Sequence, residues 1–227
     1  GGWSNDSGIY SKSTIDNGEV GATYEARTGI SEVIDSIKIK YGISAEIDGY
    51  LFVGDCGHEN IRNAKNMIFR SKAGMFSIFN YVYDFLVLKS QPTALVNFAG
   101  RLFAFDKTNT YKINPESLVI EDIFEGIGCL GKDSVIVTDY GMFFADKNGA
   151  YMHNGTTPTR ISDAITAGGG INTTFGGTDN IKDVSWNAIM KYKDASPPYV
   201  SFDSDLSCVL FFVNCYAKKG TVGTTSA

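Results

Sequence analysis

Apolar residues in this chain come in short runs, broken every few positions by Gly, Asn or Asp. The stretch from Ser134 to Gly155, SVIVTDYGMFFADKNGAYMHNG, shows the pattern most clearly. Asp139-Tyr-Gly141 and Lys147-Asn-Gly149 interrupt runs of strand formers, which predicts two β-hairpin turns. Asn-Gly between strands favours a type I′ turn, whose two central residues need positive φ. The expectation is a left-handed backbone at Gly149.

In Leu102-Phe-Ala-Phe105 and Met142-Phe-Phe-Ala145 both alternating faces of the predicted strand are apolar. A sheet with one wet face shows polar residues at every second position. Two apolar faces predict sheets sandwiched between neighbours, with Phe103, Phe105, Phe143 and Phe144 buried. The runs also repeat. Gly49-Tyr-Leu-Phe-Val-Gly-Asp55 matches Gly100-Arg-Leu-Phe-Ala-Phe-Asp106, and Gly141-Met-Phe-Phe-Ala-Asp146 is a third copy one residue shorter. Their continuations agree too: Asp106-Lys-Thr-Asn-Thr-Tyr111 lines up with Asp146-Lys-Asn-Gly-Ala-Tyr151. The glycines at 49, 100 and 141 lie 51 and then 41 residues apart. That period belongs to four-stranded repeats, the blades of a β-propeller. The glycine before each strand marks a tight turn, and the aspartate after it can bond backbone amides of the next turn. A fourth, degenerate unit spans Tyr199-Val-Ser-Phe-Asp203 and Leu206 to Val213.

The fold class expected is all-β: repeated four-stranded antiparallel blades, propeller-like, in a fragment of something larger. Residues 1–48 read as outer strands or a first partial blade, and 49–165 as propeller blades. Residues 166–180 read as a glycine-rich loop or insertion, and 181–227 as a further partial blade. Residues 31–40 open like a capped helix but alternate from Asp35, so strand is favoured there. The polar residues 60–67 read as a loop between blades.

Composition supports this reading, with 15 Phe, 12 Tyr and 25 Gly suited to aromatic strands joined by tight turns. A net charge of −5 argues against general nucleic-acid binding, which uses a basic stripe. It does not exclude a surface that nucleic acid slides past without sticking. The start lacks a basic segment followed by an apolar one, so no signal peptide is read. No apolar run approaches the ~20 residues of a membrane span. The four cysteines, Cys56, Cys129, Cys208 and Cys215, form no C-x-x-C and read as buried thiols of a reducing compartment.

The candidate chemistry is thin. Gly168-Gly169-Gly170 lacks the lysine and spacing of a phosphate loop. Asp203-Ser-Asp205 lacks the glycine and glutamate of a calcium loop and reads as a turn. His58 and His153 stand in no catalytic motif. Asn154 and Asn172 head glycosylation triplets that matter only in a secreted protein. Trp3, Trp186 and Tyr192 would bind sugar only if exposed, and packing is the plainer role. No catalytic residue, cofactor or metal ligand is assigned, and the chain is read as no enzyme.

Two stretches carry a family resemblance. Gly100 to Ile113, GRLFAFDKTNTYKI, resembles a strand pair of viral tail propellers. Gly126-Ile-Gly-Cys129, Ser134 to Gly155 and Arg160-Ile-Ser162 resemble the blade that follows it. Both are similar to the tail nozzle (tail tube B, or tail hub) proteins of short-tailed bacteriophages. The resemblance covers residues 95–165 and, read generously, 49–215; its motifs describe how a blade folds. It implies a virion tail protein, made in the host cytoplasm, that assembles as a homohexameric ring beneath the portal and adaptor, beside tail fibre proteins. Such a ring retains the genome and conducts it at ejection, with DNA passing but not specifically bound. The acidic residues Glu116, Glu121, Asp122 and Glu125 are candidates for a repelling channel wall. The alternatives are a carbohydrate-binding or glycan-degrading propeller that recognises the host, and a tail scaffold of a long-tailed virus.

Overall fold

The computed structural model describes residues 19–21, 38–57, 61–79, 83–163, 186, 190 and 197–213. The fold is all-β, built from antiparallel sheets that follow one another along the chain. A short pair, β1 (Glu19–Gly21) with β2 (Lys38–Lys40), comes first. The first large sheet holds β3 (Ile43–Ile47), β4 (Tyr50–Gly54), β5 (Met67–Lys72), β6 (Met75–Phe79) and β7 (Phe85–Val87). Here β5 pairs with β4 on one edge and shares its other edge between β6 and β7.

The second sheet is a four-stranded meander of β8 (Ala94–Phe98), β9 (Arg101–Phe105), β10 (Asn109–Ile113) and β11 (Ile120–Glu125). The third repeats it with β12 (Val135–Thr138), β13 (Gly141–Ala145), β14 (Ala150–His153) and β15 (Pro158–Arg160). A hairpin of β16 (Tyr199–Asp203) and β17 (Cys208–Phe212) opens a fourth. The first strands of successive sheets lie against one another: β3 on β8, β8 on β12, β12 on β16.

Two-sided apolar strands produce this stacking. On β9, Leu102 and Ala104 join a core with Ile43, Ile47, Phe52 and Ile68 of the first sheet. From the opposite face, Phe103 and Phe105 join Met142, Phe144 and Tyr151 of the third. The third sheet then turns Ala145 and Ala150 toward Trp186 and Phe211. Each large side chain so buried contributes roughly 1.5–3 kcal/mol. Polar ties cross every seam: Asn97 Nδ2 donates to the Glu46 carbonyl at 3.1 Å, Lys112 Nζ to the Gly155 carbonyl at 3.0 Å, and Ser134 Oγ to the Pro198 carbonyl. Arg70 on β5 adds to the first seam, donating to the Pro115 and Glu116 carbonyls while paired with Asp84.

Several expectations are modified. Phe103, Phe105 and Phe144 are buried, but Phe143 is only half-buried. Among the described residues its face of β13 is met by the β16–β17 hairpin. Residues 61–66, with a 3-10 turn at Ala64–Asn66, join β4 to β5 within one sheet and not between sheets. The β3–β4 hairpin crosses the expected division at residue 48. Residues 38–40 are strand as expected, while 31–37 and the glycine-rich stretch 166–180 lie outside the described residues.

The type I′ turns are real but stand elsewhere than expected. Two-residue loops with positive φ at both positions occur at Asp48-Gly49 (φ 51° and 77°) and Ala99-Gly100 (φ 51° and 69°). Gly149 has no positive φ; it closes a four-residue loop, 146–149, between the paired Ala145 and Ala150. Crowding requires glycine there, because a Cβ would sit 2.6 Å from Ser162 Oγ and 2.7 Å from Arg160 Nε. Gly128 is tighter: a Cβ would lie 2.4 Å from backbone atoms of Asp106, Lys107 and Thr108.

These contacts rank three substitutions. Gly128→Ala should cost about 3 kcal/mol or more, since backbone cannot yield. Gly149→Ala should cost about 1–2 kcal/mol, with side chains giving way, and Gly100→Ala about 1 kcal/mol from its φ of 69°. Urea unfolding midpoints check the order. Equal effects at Gly128 and Gly100 would contradict the packing described.

Candidate functional site

The polar groups that the fold holds most deliberately are the aspartates ending each repeat. Asp106 and Asp146 follow β9 and β13 and are buried. Each opens a four-residue loop in which the aspartate N–H donates to the carbonyl of the last loop residue at 2.9 Å. The side chain closes the loop from inside. Asp106 Oδ1 accepts from the backbone N–H groups of Thr108 and Asn109 at 2.7 and 2.6 Å, and Asp146 Oδ1 from those of Asn148 and Gly149 at 2.7 and 2.9 Å. The two loops superimpose in sequence from the aspartate backwards. Gly141 is the first residue of its strand, opposite Thr138, so Tyr140 takes the turn position that Gly100 holds. The third copy is therefore not short of a residue; its glycine is displaced by one.

The two carboxylates differ in donor number. Asp106 also accepts from Tyr111 Oη at 2.9 Å, Thr108 Oγ1 at 3.0 Å and the Asn109 amide. Burial pushes its pKa up, but these donors outweigh burial and hold it below the ordinary value. Asp146 has in addition a 3.4 Å contact from the Gly128 N–H and a 3.5 Å one from Asn148 Nδ2, and the Tyr151 hydroxyl interacts with it from the next strand. There burial prevails and the pKa is raised. The first copy's Asp55 (φ 54°) instead accepts from Gln91 Nε2 at 2.6 Å.

His153, at the end of β14, is fully buried among the rings of Phe98, Phe103 and Phe124, with centroids 4.8 to 6.2 Å away. Its Nδ1 accepts from the Gly155 N–H at 2.9 Å. The neutral ring therefore carries its proton on Nε2, which faces aromatic surface without a hydrogen-bond acceptor. Burial first, then the Lys112 ammonium, lowers its pKa from 6.5 to about 4, against a smaller opposing pull from Asp122. No sequence motif marked His153; its signal was only a histidine at a core-facing strand position.

The acidic cluster lies along β11, the edge strand of the second sheet, with Glu121, Asp122 and Glu125 exposed and Glu116 in the preceding turn. Two of the four are paired. Arg101 Nε meets both Glu121 oxygens at 2.8 and 2.9 Å, and Lys89 meets Glu125. Both carboxyls are held below their ordinary pKa chiefly by these hydrogen bonds.

Among the other residues singled out, Cys56 and Cys129 are buried, and burial pushes both thiols up to about 12. Cys208 is half-buried rather than buried; it lies opposite Asp203, on the hairpin face that Val200 and Phe211 do not share. Trp186 is core, donating from Nε1 to the Asp146 carbonyl at 3.0 Å, and is unavailable to a sugar. Asp203 Oδ1 accepts from the Asp205 and Leu206 N–H groups, as a plain turn requires. Asn154 closes a similar turn at Thr156 and Thr157. Trp3, His58, Gly168, Gly169, Gly170, Asn172, Tyr192 and Cys215 lie outside the described residues. Among the described residues no three His, Cys, Asp or Glu are grouped to hold a metal, and no helix is long and apolar enough to cross a membrane. The geometry thus brings its sequence-marked residues together for folding, at the loops of stacked sheets. The chain matches no family model and no curated protein.

Two predictions follow from the buried polar groups. Asp106→Asn should cost about 2–4 kcal/mol, since it turns an acceptor of many donors partly into a donor. Asp146→Asn should cost about 1 kcal/mol; denaturant unfolding of the two variants gives the order, and the reverse order would refute the donor argument. His153 is neutral when folded, so the unfolded chain binds the extra proton between its ordinary 6.5 and about 4. Stability should therefore fall as pH drops through that window, by on the order of 3 kcal/mol. His153→Gln should flatten the slope between pH 6.5 and 4 in chemical denaturation, and an unchanged slope would show that another group is responsible.

Proposed function

We propose that this chain is a structural component of a bacteriophage tail, part of a nozzle-like ring that retains the genome and conducts it during ejection. The observation that carries the reading is the stack itself. Residues 95–165, the stretch that resembles tail nozzle propellers, fall almost wholly on the second and third sheets, two successive meanders joined face to face. Their first strands lie side by side as blades do around an axis, and their Asp-closed loops repeat. In this reading the sheets belong to a closed β-propeller completed beyond the described strands.

In this reading the fold invests its polar groups in rigidity. Buried aspartates, a histidine caged by aromatic rings and two-sided cores build a stiff wedge, and the aspartates' oxygens are taken up by loop N–H groups. A wedge of this kind acts through its surfaces, by contacts repeated around a ring, here a homohexamer in contact with portal, adaptor and tail fibre proteins. The reading gives the chain no catalytic role, cofactor or metal. The net charge of −5 suits a wall past which DNA, itself densely negative, moves without sticking. The protein is made in the host cytoplasm and resides in the virion tail.

Reconstruction of the native particle tests this. The expected result is a cyclic ring of this chain, six copies around a lumen that is not basic. A single copy at a fibre tip, or a lumen lined by Lys and Arg, would overturn it, as would turnover of a glycan by the purified chain.

A further inference from the structure

Each large sheet has two rims, one at either end of its strands, and the two rims differ in charge. Successive sheets point the same way. Asn97, beside the 99–100 turn, bonds the carbonyl of Glu46 beside the 48–49 turn, and Lys112 bonds Gly155 of the 154–157 turn. The hairpin turns therefore share one rim, and the Asp-closed loops share the other. On the turn rim, segments 48–49, 73–74, 99–100, 114–119, 139–140 and 154–157 carry Asp48, Glu116 and Asp139, all exposed, and no Lys or Arg. Lys72, Arg101 and Lys112 at the adjoining strand ends are half-buried, with Arg101 held by Glu121 and Lys112 by the Gly155 carbonyl. Two large apolar side chains stand among these acids, Val119 at 56% and Tyr140 at 59% exposure. Tyr140 takes the turn position that Gly100 holds in the second sheet, where the backbone has no need of a ring, and its N–H is tied to Thr138 Oγ1. An exposed tyrosine on a fixed turn is a residue type that protein interfaces favour.

On the loop rim the sign reverses. The Asp106 and Asp146 loops each carry an exposed lysine at their second position, Lys107 and Lys147, and neither forms an ion pair among the described residues. The carboxylate that closes each loop from inside fixes the backbone from which its lysine projects. The two loops are neighbours: Gly128 lies against the backbone of residues 106–108, while its N–H reaches Asp146 Oδ2. Arg62, Lys65 and Lys132 are exposed on the same rim. Against them stand the exposed acids Asp133 and Asp163, the latter paired with Arg160, while Lys89 and Glu125 offset each other.

We propose that the loop rim of one copy docks on the turn rim of a second, with Lys107 and Lys147 set among Asp48, Glu116 and Asp139, and Tyr140 as the apolar anchor. A chain of net charge −5 repels its own copies unless its charge is segregated, and these rims segregate it. Opposite charge then brings two copies together in one orientation, since like rims would set like charges face to face. The rims lie at the strand ends, so a propeller closed by sheet-to-sheet packing keeps both of them for other contacts. Because the contact joins two different surfaces, it repeats from copy to copy and closes into a ring where the rotation permits. The proposal deepens the ring reading above and rests on it only for closure.

Charge exchange on the full chain tests it, read by sedimentation velocity. Lys107→Glu with Lys147→Glu makes both rims acidic, and Glu116→Lys with Asp139→Lys makes both basic. Each double variant alone should self-associate roughly tenfold or more weakly than the unaltered chain. Mixed in equal amounts, the two pair opposite rims again and should recover association. Tyr140→Ser should weaken it without a change of charge. Circular dichroism shows whether each variant keeps its sheet content. Should a variant fail to fold, the unaltered chain still decides, because its association should weaken steadily as salt is raised. Folded variants that associate like the unaltered chain, a mixture that stays dissociated, association indifferent to salt, or an unaltered chain that is monomeric at all concentrations would overturn the proposal. So would a loop rim that binds duplex DNA through Lys107 and Lys147 in place of a second copy. A ring in the virion formed through other surfaces would sink this contact and leave the tail reading standing.

Discussion

A strand with large apolar side chains on both faces cannot lie at the surface of a protein, and nearly everything in this chain follows from that. Leu102 and Ala104 look one way from β9 and Phe103 and Phe105 the other, so the second sheet must have a neighbour on each side. The neighbours face the same demand, which sets up a stack in place of a single two-layer sandwich. The stack in turn dictates the connections. Each sheet is contiguous in sequence, and the chain steps on after five strands in the first large sheet and after four in the second and third.

Packing sheets this closely leaves little room for the loops at their ends, and the buried aspartates answer that constraint. A four-residue loop has backbone N–H groups pointing inward where water does not reach, and a carboxylate placed at its first position accepts two of them. The cost is burial of a charge, which is tolerable only when donors are numerous. Asp106 has them, with Tyr111 and Asn109 recruited to the site, while Asp146 has fewer and shares its environment with Arg160. One repeat position is thus held at two levels of electrostatic satisfaction, although the loops have the same shape.

Much of this was legible in the sequence. Two-sided apolar runs and the Gly-to-Asp repeat announced the sheets, their order and their stacking, because burial on both faces leaves a direct signature in residue type. Turn geometry was less legible. Asn148-Gly149 reads as a type I′ turn, yet the carboxylate of Asp146 captures the backbone two and three residues on and makes a longer loop. A side chain earlier in the sequence outweighed the local preference of the dipeptide. Ala99-Gly100 does form the two-residue loop, with alanine at a position usually held by asparagine or aspartate. His153 was invisible for another reason: its cage comes from β8, β9 and β11, which the sequence places far from β14.

The acidic strand β11 gains a meaning from the stack that composition did not suggest. It is the last strand of its sheet and, among the described residues, pairs only with β10. An open edge is a template for pairing with another chain. Glu121, Asp122 and Glu125 place charge along that edge, and the pairs to Arg101 and Lys89 leave salt-bridged, strongly hydrated groups where a second strand would need to dock. Edge-to-edge growth is therefore opposed. A charged edge thus leaves face-to-face stacking, the contact already made between successive sheets, as the way this fold buries its apolar side chains.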